Sequence, residues 1–249
     1  NLVRPMIEKG YALSVMGNHE FNAICYGTLG NDGEPLRENS IEKKKQHQAF
    51  LTAYSNVNER NSVIDWFKTL PIYLEIDGIR VIHASWNELE LEIVAPLLDD
   101  NHCLVDEAYE LCSQKGSAPF EAIEILLKGP EAILPKGVTF TDKDGHVRQD
   151  ARIQWWKARQ GDKKDRLHLG GNITEEHKIE QTNIDDSHYY HECHPPLFVG
   201  HYWLDDEVPT PLSNNSACLD FSIAKNGKLV AYRWQGEKTL KESNFVWCK

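Results

Sequence analysis

Three short apolar runs in this chain each end at a histidine, and this recurrence constrains the fold more than any other feature of the sequence. The runs and the residues that follow them are Leu13–Met16 before Gly17-Asn18-His19-Glu20, Ile79–Ile82 before His83, and Leu197–Val199 before Gly200-His201. A short apolar run bounded by turn residues is typical of a buried strand. Strand ends converge on one rim of a sheet, so we predict that these polar segments share a site.

The residue types in these segments suit metal-assisted hydrolysis. Asn18 offers an oxygen to a metal, and His19 can give or take a proton near neutral pH. Any single histidine of this kind is also compatible with a hydrogen-bonded residue at the edge of a core. The repetition of the pattern favours metal binding or acid–base chemistry over that alternative.

Length and charge limit the classes of function. The chain has 249 residues, enough for a substantial core, and we predict a single domain, 1–249, with an insertion or cap at 87–187. Its net charge of -11 argues against broad nucleic-acid binding, because proteins that neutralise phosphates usually carry a basic face. A phosphorylated substrate would then need a local positive centre, such as a metal pair.

Cysteine usage and hydropathy indicate the compartment. The six cysteines form no CxxC pair and no dense framework, which predicts reduced thiols and a cytoplasmic protein. No apolar run approaches the roughly 20 residues that span a bilayer, so we expect no membrane partner.

Local patterns predict the main elements along the chain. They are a short helix over Phe21–Tyr26, a helix over Ile41–Tyr54, a helix capped by Asn61 or Ser62 and ending at Leu70, a hairpin turning at Asp77-Gly78, helical segments over Glu88–Leu98, Val105–Ser113 and Pro119–Lys128, a hairpin turning at Asp142–Gly145, and a hairpin turning at Asn226-Gly227. The two halves of the chain are thus predicted to mix helices with strands, as in an α/β protein.

The order of the histidine motifs resembles a known family. Gly17-Asn18-His19-Glu20, then His83-Ala84-Ser85-Trp86, then Gly200-His201 are similar to the later motifs of the calcineurin-like metallophosphoesterases. The resemblance extends over nearly the whole chain and is weakest over 87–187. Tyr202 and Trp203 follow His201 where some relatives carry a second histidine. The subset resembled is therefore nearer to the protein phosphatases and dinucleoside tetraphosphatases.

This resemblance implies a fold, a reaction and a role for each residue. The fold would be a four-layer α/β/β/α sandwich with two divalent metal ions, manganese, iron or zinc, at the strand ends. Asn18, His83 and His201 match the ligands of the second metal, and His19 matches the general acid. A metal-bound hydroxide would hydrolyse a phosphate ester or anhydride in a phosphorylated protein, nucleotide or small molecule. Glu20 would accept a hydrogen bond that orients a ligand.

The sequence also departs from the family. The Asp-x-His and Gly-Asp-x-x-Asp-Arg motifs that supply the first metal do not occur in the 16 residues before Gly17. We therefore expect an N-terminally incomplete fold with ligands for one metal and weak catalysis. The alternative is a non-catalytic phosphoesterase-like scaffold that presents 87–187 to a partner. The sequence does not indicate an oligomeric state.

Two further groups offer weaker candidates. His188, His191, Cys193 and His194 are spaced closely enough to bind zinc, although an irregular loop explains them more simply. Arg148, Arg152 and Arg159, with Trp155-Trp156, could line a lip that binds phosphate or stacks on a nucleobase. Buried tryptophans and solvated arginines are the simpler interpretation of this second group.

Overall fold

The computed structural model describes residues 2–142, 145–158, 161–169 and 171–249. Over these residues the protein is a mixed α/β structure with helices and several small sheets, which confirms the predicted class. The chain forms two compact units. The first contains Asn1–Glu75, Val81–His83 and Leu89–Leu127, and the second contains Ile76–Arg80, Ala84–Glu88 and Lys128–Lys249. A single domain with an insertion at 87–187 stays a prediction.

Helices dominate the first unit. Within the described residues the α-helices are α1 (Val3–Glu8), α2 (Asn18–Gly27), α3 (Ile41–Gln46), α4 (Gln48–Ala53), α5 (Val57–Lys68), α6 (Glu88–Val94), α7 (Ala108–Ser113) and α8 (Ala118–Lys128). Short 3-10 helices cover Ala95–Leu97, Lys163–Arg166, Glu176–Gln181, Asp186–His188, Ile223–Lys225 and Glu242–Asn244. In the part of the chain that the structure describes, no helix is long and apolar enough to cross a membrane.

The strands are short. They are β1 (Tyr73–Ile76), β2 (Ile79–Ile82), β3 (Glu131–Ile133), β4 (Phe140–Thr141), β5 (Val147–Arg148), β6 (Asp150–Ile153), β7 (Leu167–His168), β8 (Leu197–Val199), β9 (Ser216–Cys218), β10 (Asp220–Phe221), β11 (Lys228–Tyr232) and β12 (Phe245–Cys248). The sheet orders are β1-β2-β8-β9, β10-β11-β12, β3-β6-β7 and β4-β5. Strands β8 and β9 are parallel, and the backbone N–H of Arg80 in β2 donates to the carbonyl of Pro196, just before β8.

The core of the first unit forms around α2. This helix packs against α5 and α7, and its residues Phe21–Cys25 are buried. The ring of Phe21 stacks on Tyr109 of α7 with centroids 6.0 Å apart. At the end of α2, a Cβ on Gly27 would lie 2.6 Å from Cδ1 of Ile64 in α5. The absence of a side chain at Gly27 therefore allows α2 and α5 to approach closely.

Two apolar groups contribute to the core of the second unit. One lies around the sheet β3-β6-β7 and consists of Ala132, Leu134, Val138, Phe140, Ala151, Ile153, Leu167 and Ile179. The other is aromatic: Trp155 packs edge-on against Trp156 and Tyr190, and Trp156 packs edge-on against Tyr202. The indole N–H of Trp155 donates to the hydroxyl of Tyr202 at 2.7 Å, and that hydroxyl donates to the carbonyl of Ala84 at 2.9 Å.

Most predicted elements are present. The short helix after Gly17 is α2, the hairpin turning at Asp77-Gly78 is β1 and β2, and the buried run before Gly200 is β8. The hairpin around Asp142–Gly145 is β4 and β5, although Lys143 and Asp144 lie outside the described residues. The last hairpin is β10 and β11, with a 3-10 turn between them.

The predicted strand before Gly17 is wrong. Residues 11–16 form no strand, and the side chains of Tyr11 and Leu13 are 78% and 60% exposed. The N–H of Met16 donates to the carbonyl of Pro71 at 2.7 Å. A ladder requires successive bonds to a neighbouring strand, so this segment is an irregular stretch of chain rather than a buried strand.

Two helix boundaries also differ from the prediction. The helix predicted to be capped by Asn61 or Ser62 is capped by Asn56, five or six residues earlier, because the Asn56 side chain accepts from the backbone N–H groups of Asn58 and Glu59. The helix predicted over Ile41–Tyr54 is two helices separated at His47. His47 leaves the helical conformation and buries its ring against Tyr26, with centroids 4.8 Å apart.

Candidate functional site

The first unit brings two of the predicted metal ligands together. Asn18 is the first residue of α2, and His83 follows directly after β2. Their side chains meet with Asn18 Oδ1 and His83 Nε2 3.0 Å apart. The end of β2 and the N-terminal end of α2 therefore present an amide oxygen and an imidazole nitrogen at one point, as the positions of the two motifs predicted.

Gly17 makes this convergence possible. A Cβ at Gly17 would lie 2.6 Å from Glu20 Oε2 and 2.9 Å from His83 Cε1. Both distances are shorter than side chains tolerate, so the imidazole of His83 lies directly against the Gly17 backbone. The carboxylate of Glu20 accepts from the Gly17 N–H at 3.1 Å. Glu20 therefore closes the first turn of α2, and its role in orienting a ligand stays a prediction.

His83 is neutral at physiological pH. Burial, and to a smaller extent the charge of His19, lower the pKa of His83 to about 4. The neutral imidazole is the form that ligates metals. Which of Asn18 and His83 donates the hydrogen bond between them depends on the His83 tautomer.

The predicted general acid lies at the surface of the same unit. His19 is in the first turn of α2, next to Asn18, and its side chain is exposed. Its charge acts on two neighbours, because it contributes to the lowered pKa values of both His83 and His47. His19 is therefore close to the Asn18–His83 pair and accessible to a ligand that approaches from solvent.

His201, the third predicted ligand, belongs to the second unit. It follows β8 and Gly200, and its side chain is 8% exposed. His201 has a φ of +69°, and Trp203 has a φ of +51°. Positive φ is strained for such bulky residues, so a tight turn after β8 determines where the His201 side chain points. The ring of Tyr202 packs edge-on against that of His201, with centroids 5.7 Å apart.

The Asn18–His83 pair has a spacing that fits a metal ion. Neighbouring ligands about 2.1 Å from an octahedral ion lie about 3.0 Å from one another, and the observed separation is 3.0 Å. Across the residues that the structure describes, no group of three or more His, Cys, Asp or Glu side chains is arranged to hold a metal. Within the described residues, the geometry that suits a metal ion is therefore that of the Asn18–His83 pair.

The weaker candidates have structural explanations. The side chain of Arg148 pairs with Asp142 at 2.8 Å, and that of Arg152 lies 3.9 Å from Glu131. Trp155 and Trp156 are buried in the aromatic core, as the simpler interpretation predicted, and Arg159 lies outside the described residues.

The histidine-rich loop is divided between different partners. Asn87 Nδ2 lies 2.8 Å from His188 Nδ1. His191 Nδ1 lies 3.1 Å from Cys193 Sγ, and His194 packs against the ring of Tyr190. These contacts agree with an irregular loop.

A polar group near α2 was not predicted from the sequence. Asn22 Oδ1 accepts from Arg37 Nη1 at 2.5 Å, and Gln46 Oε1 accepts from Arg37 Nη2 at 2.9 Å. His47 follows Gln46 and is buried, and its Nε2 has no hydrogen-bond partner among the residues that the structure describes. The four-residue spacing from Asn18 to Asn22 on one helix face was the available signal for this group.

His47 gives a testable pH dependence. Burial first, then the charges of Arg37, His19 and Lys43, lower its pKa from 6.5 to about 4. Between these two pH values the unfolded state binds more protons than the folded state, so the free energy of unfolding should rise with pH across this window. The contribution of His47 is complete above about pH 6.5 and is lost as the pH falls through about 4. The difference between the two pKa values corresponds to roughly 3 kcal/mol. Urea unfolding of wild type and His47→Gln from pH 4 to pH 7 measures it.

The control for this pH dependence is an exposed histidine. His177→Gln should keep the wild-type slope, whereas His47→Gln should flatten it. The remaining slope comes from other groups, including His83, His188 and His194, whose pKa values are also lowered. Equal slopes in wild type and His47→Gln would contradict the role of His47.

No protein-family model matches the chain, and no curated protein sequence matches it. Its function must therefore be inferred from the site and from the order of its motifs.

Proposed function

We propose that this protein hydrolyses phosphate esters or anhydrides with divalent metal ions, and that Asn18 and His83 are two of the metal ligands. The observation that carries the proposal is the convergence of Asn18 Oδ1 and His83 Nε2, 3.0 Å apart at the N-terminal end of α2. The lowered pKa of His83 supports it, because a neutral imidazole is ready to bind a metal.

The remaining roles in the proposal follow the motif order. His201 is the proposed third ligand, and manganese, iron or zinc suits such a mixture of nitrogen and oxygen ligands. Two metals and a four-layer α/β/β/α sandwich, as in the metallophosphoesterases that the motifs resemble, belong to the same proposal. When bound, such metals polarise a phosphoryl oxygen and lower the pKa of water. The substrate is a phosphorylated protein, nucleotide or small molecule.

His19 has the proposed role of proton donor. It is exposed beside Asn18, where a leaving group bound near the pair would be within reach. A histidine side chain can protonate a departing oxygen and take up a proton again from water. Asn18 and His83 hold their positions through α2 and β2, while His19 changes its protonation state.

Manganese binding tests the proposal directly. Asn18→Ala and His83→Ala should each weaken Mn²⁺ binding by more than about tenfold, measured by isothermal titration calorimetry, because each removes a ligand atom. Hydrolysis of p-nitrophenyl phosphate with Mn²⁺ should fall in parallel. Asn58→Ala and His177→Ala, which alter exposed side chains elsewhere, should bind Mn²⁺ like the wild type.

Two results would count against the proposal. Mn²⁺-dependent hydrolysis that survives substitution of Asn18, His83 and His201 one at a time would place the chemistry elsewhere. A wild-type chain that neither binds Mn²⁺ nor hydrolyses a phosphate ester would favour the non-catalytic scaffold.

A further inference from the structure

Two exposed side chains of the second unit bring a thiol and an imidazole together. Cys193 and His191 lie in the loop before β8, and both are exposed. His191 Nδ1 lies 3.1 Å from Cys193 Sγ, a distance that allows a hydrogen bond. A base beside a thiol is the arrangement that activates it, because the thiolate rather than the thiol is the nucleophile.

The backbone of Cys193 shows which form of the imidazole faces the thiol. The Cys193 N–H donates to His191 Nδ1 at 3.2 Å. A backbone N–H can only donate, so Nδ1 is an acceptor without a proton, and the neutral ring carries its proton on Nε2. The lone pair of Nδ1 is therefore on the side of the ring where the thiol lies, and it can take the thiol proton.

The turn that holds these two side chains together is anchored within the second unit. The N–H of His194 donates to the carbonyl of His191 at 3.1 Å, which closes the turn. The side-chain amide of Asn215, a residue that is 1% exposed, donates to the carbonyls of His191 and His194 at 3.0 and 3.1 Å. The carbonyl of Asn215 accepts from the N–H of Leu197, at the start of β8. A buried residue between two strands therefore fixes the backbone of this exposed loop.

The other cysteines differ from Cys193 in exposure or in surroundings. Four of them are buried: Cys25, Cys103, Cys112 and Cys218. Burial, as the largest cause, raises the pKa of Cys103 to about 11 and the pKa values of Cys112 and Cys218 to about 12. Cys248 is exposed like Cys193, but it ends β12, where its partner across the ladder is Leu229. Cys248 is therefore a matched exposed thiol in the same chain.

We propose that Cys193 is a nucleophilic thiol that exchanges with low-molecular-weight disulfides, with His191 as its base. His191 Nδ1 takes the thiol proton, and the Cys193 thiolate attacks one sulfur of the disulfide. A bond forms between Cys193 Sγ and that sulfur, the original S–S bond breaks, and the departing thiolate takes up the proton from His191. The products are a mixed disulfide on Cys193 and one small thiol, so the exchange needs no further oxidant.

This inference is independent of the proposed function, because Asn18, His83 and His201 take no part in it. The reaction with dipyridyl disulfide tests it without a metal ion or a phosphate ester. This reagent is neutral, and the thiopyridone that it releases absorbs in the near ultraviolet, so the rate of exchange is read directly.

Two serine variants separate the exposed thiols. Cys248→Ser leaves Cys193 as the exposed thiol, and Cys193→Ser leaves Cys248. An ordinary thiol is ionised to on the order of a few per cent at neutral pH, and a base that takes its proton raises this fraction. We therefore expect Cys193 to react about tenfold faster than Cys248 at neutral pH. Mass spectrometry should locate the mixed disulfide on Cys193.

Histidine variants test the role of the base. In the Cys248→Ser chain, His191→Gln should slow the reaction of Cys193 about tenfold, to the rate of Cys248, because the acceptor of the thiol proton is lost. His191 is exposed, so this variant should fold normally. His194→Gln is the matched control: it replaces the neighbouring histidine, whose ring packs against Tyr190, and it should keep the fast rate. In the Cys193→Ser chain, His191→Gln should leave the rate of Cys248 unchanged.

Three results would overturn the inference. Equal rates for Cys193 and Cys248 would mean that the histidine does not activate the thiol. An unchanged rate of Cys193 in His191→Gln would exclude this histidine as the base. Equal losses in His191→Gln and His194→Gln would indicate a loosening of the whole loop rather than the loss of a base.

Discussion

Replacing Gly17 with alanine should displace His83 from Asn18 and lower Mn²⁺-dependent hydrolysis by about a hundredfold. The added methyl group would meet Glu20 Oε2 at 2.6 Å and His83 Cε1 at 2.9 Å. Glu20 can swing away because its carboxylate is the end of a flexible side chain. The His83 ring is held by its contact with Asn18 and has less freedom. Displacement of a reacting group by about 1 Å costs on the order of a hundredfold in rate.

Double variants separate displacement of His83 from a general loss of stability. The overpacking in Gly17→Ala should lower the free energy of unfolding by about 1–3 kcal/mol. In urea unfolding, Gly17→Ala/His83→Ala should recover most of this loss, but it should not recover Mn²⁺ binding. Gly17→Ala/Glu20→Ala should remain impaired, because the contact with His83 persists. Gly171→Ala is the control, since a Cβ there meets no atom of the described residues within 4 Å. Wild-type Mn²⁺ affinity in Gly17→Ala would contradict the role of this contact.

The Asn18–His83 pair was predictable because each motif lies at the end of a well-marked element. β2 follows the turn residues Asp77-Gly78, and α2 begins directly after Gly17. The local sequence determines where such elements begin and end, and therefore where the side chains at their ends are placed. The hydrogen bond between Asn18 and His83 shows that the two motifs meet, as their positions predicted, while their role as metal ligands stays a prediction.

The segment before Gly17 was not predictable in the same way. Its apolar residues match a buried strand as well as those of β8 do, yet 11–16 form no strand. A strand needs a neighbouring strand to complete its hydrogen bonds, and the local sequence does not reveal whether such a neighbour is present. The apolar run favours an extended backbone, but strand pairing depends on the rest of the chain.

Helix starts and the Arg37 group were missed for a similar reason. Asn56 and Asn61 are equally good capping residues, and only the structure shows that Asn56 caps α5. Arg37 is 15 residues from Asn22, and its contact depends on the path of the loop between α2 and α3. Contacts made by loops depend on tertiary packing, which residue patterns do not reveal.

Trp155→Ala should destabilise the second unit by about 3–5 kcal/mol, the usual cost of truncating a buried tryptophan. Trp155 is 1% exposed and packs edge-on against Trp156 and Tyr190. Its indole N–H also donates to the Tyr202 hydroxyl at 2.7 Å. The substitution therefore opens a cavity and removes a buried hydrogen bond together. Urea unfolding measures the loss, with Trp247→Ala as the control, because Trp247 in β12 is 43% exposed and should cost less than about 1 kcal/mol.

The same network should determine how firmly the turn at His201 is held. Tyr202 donates to the carbonyl of Ala84, and this bond anchors a turn in which His201 has a φ of +69°. Tyr202→Phe leaves the Trp155 N–H and the Ala84 carbonyl without this buried partner, at about 1–3 kcal/mol for each group. Trp155→Phe and Tyr202→Phe each break the hydrogen bond between Trp155 and Tyr202. The Trp155→Phe/Tyr202→Phe double variant should therefore lose less free energy of unfolding than the sum of the losses in the two single variants. Strict additivity would mean that the bond does not couple these residues, and the strained His201 turn would then need another support.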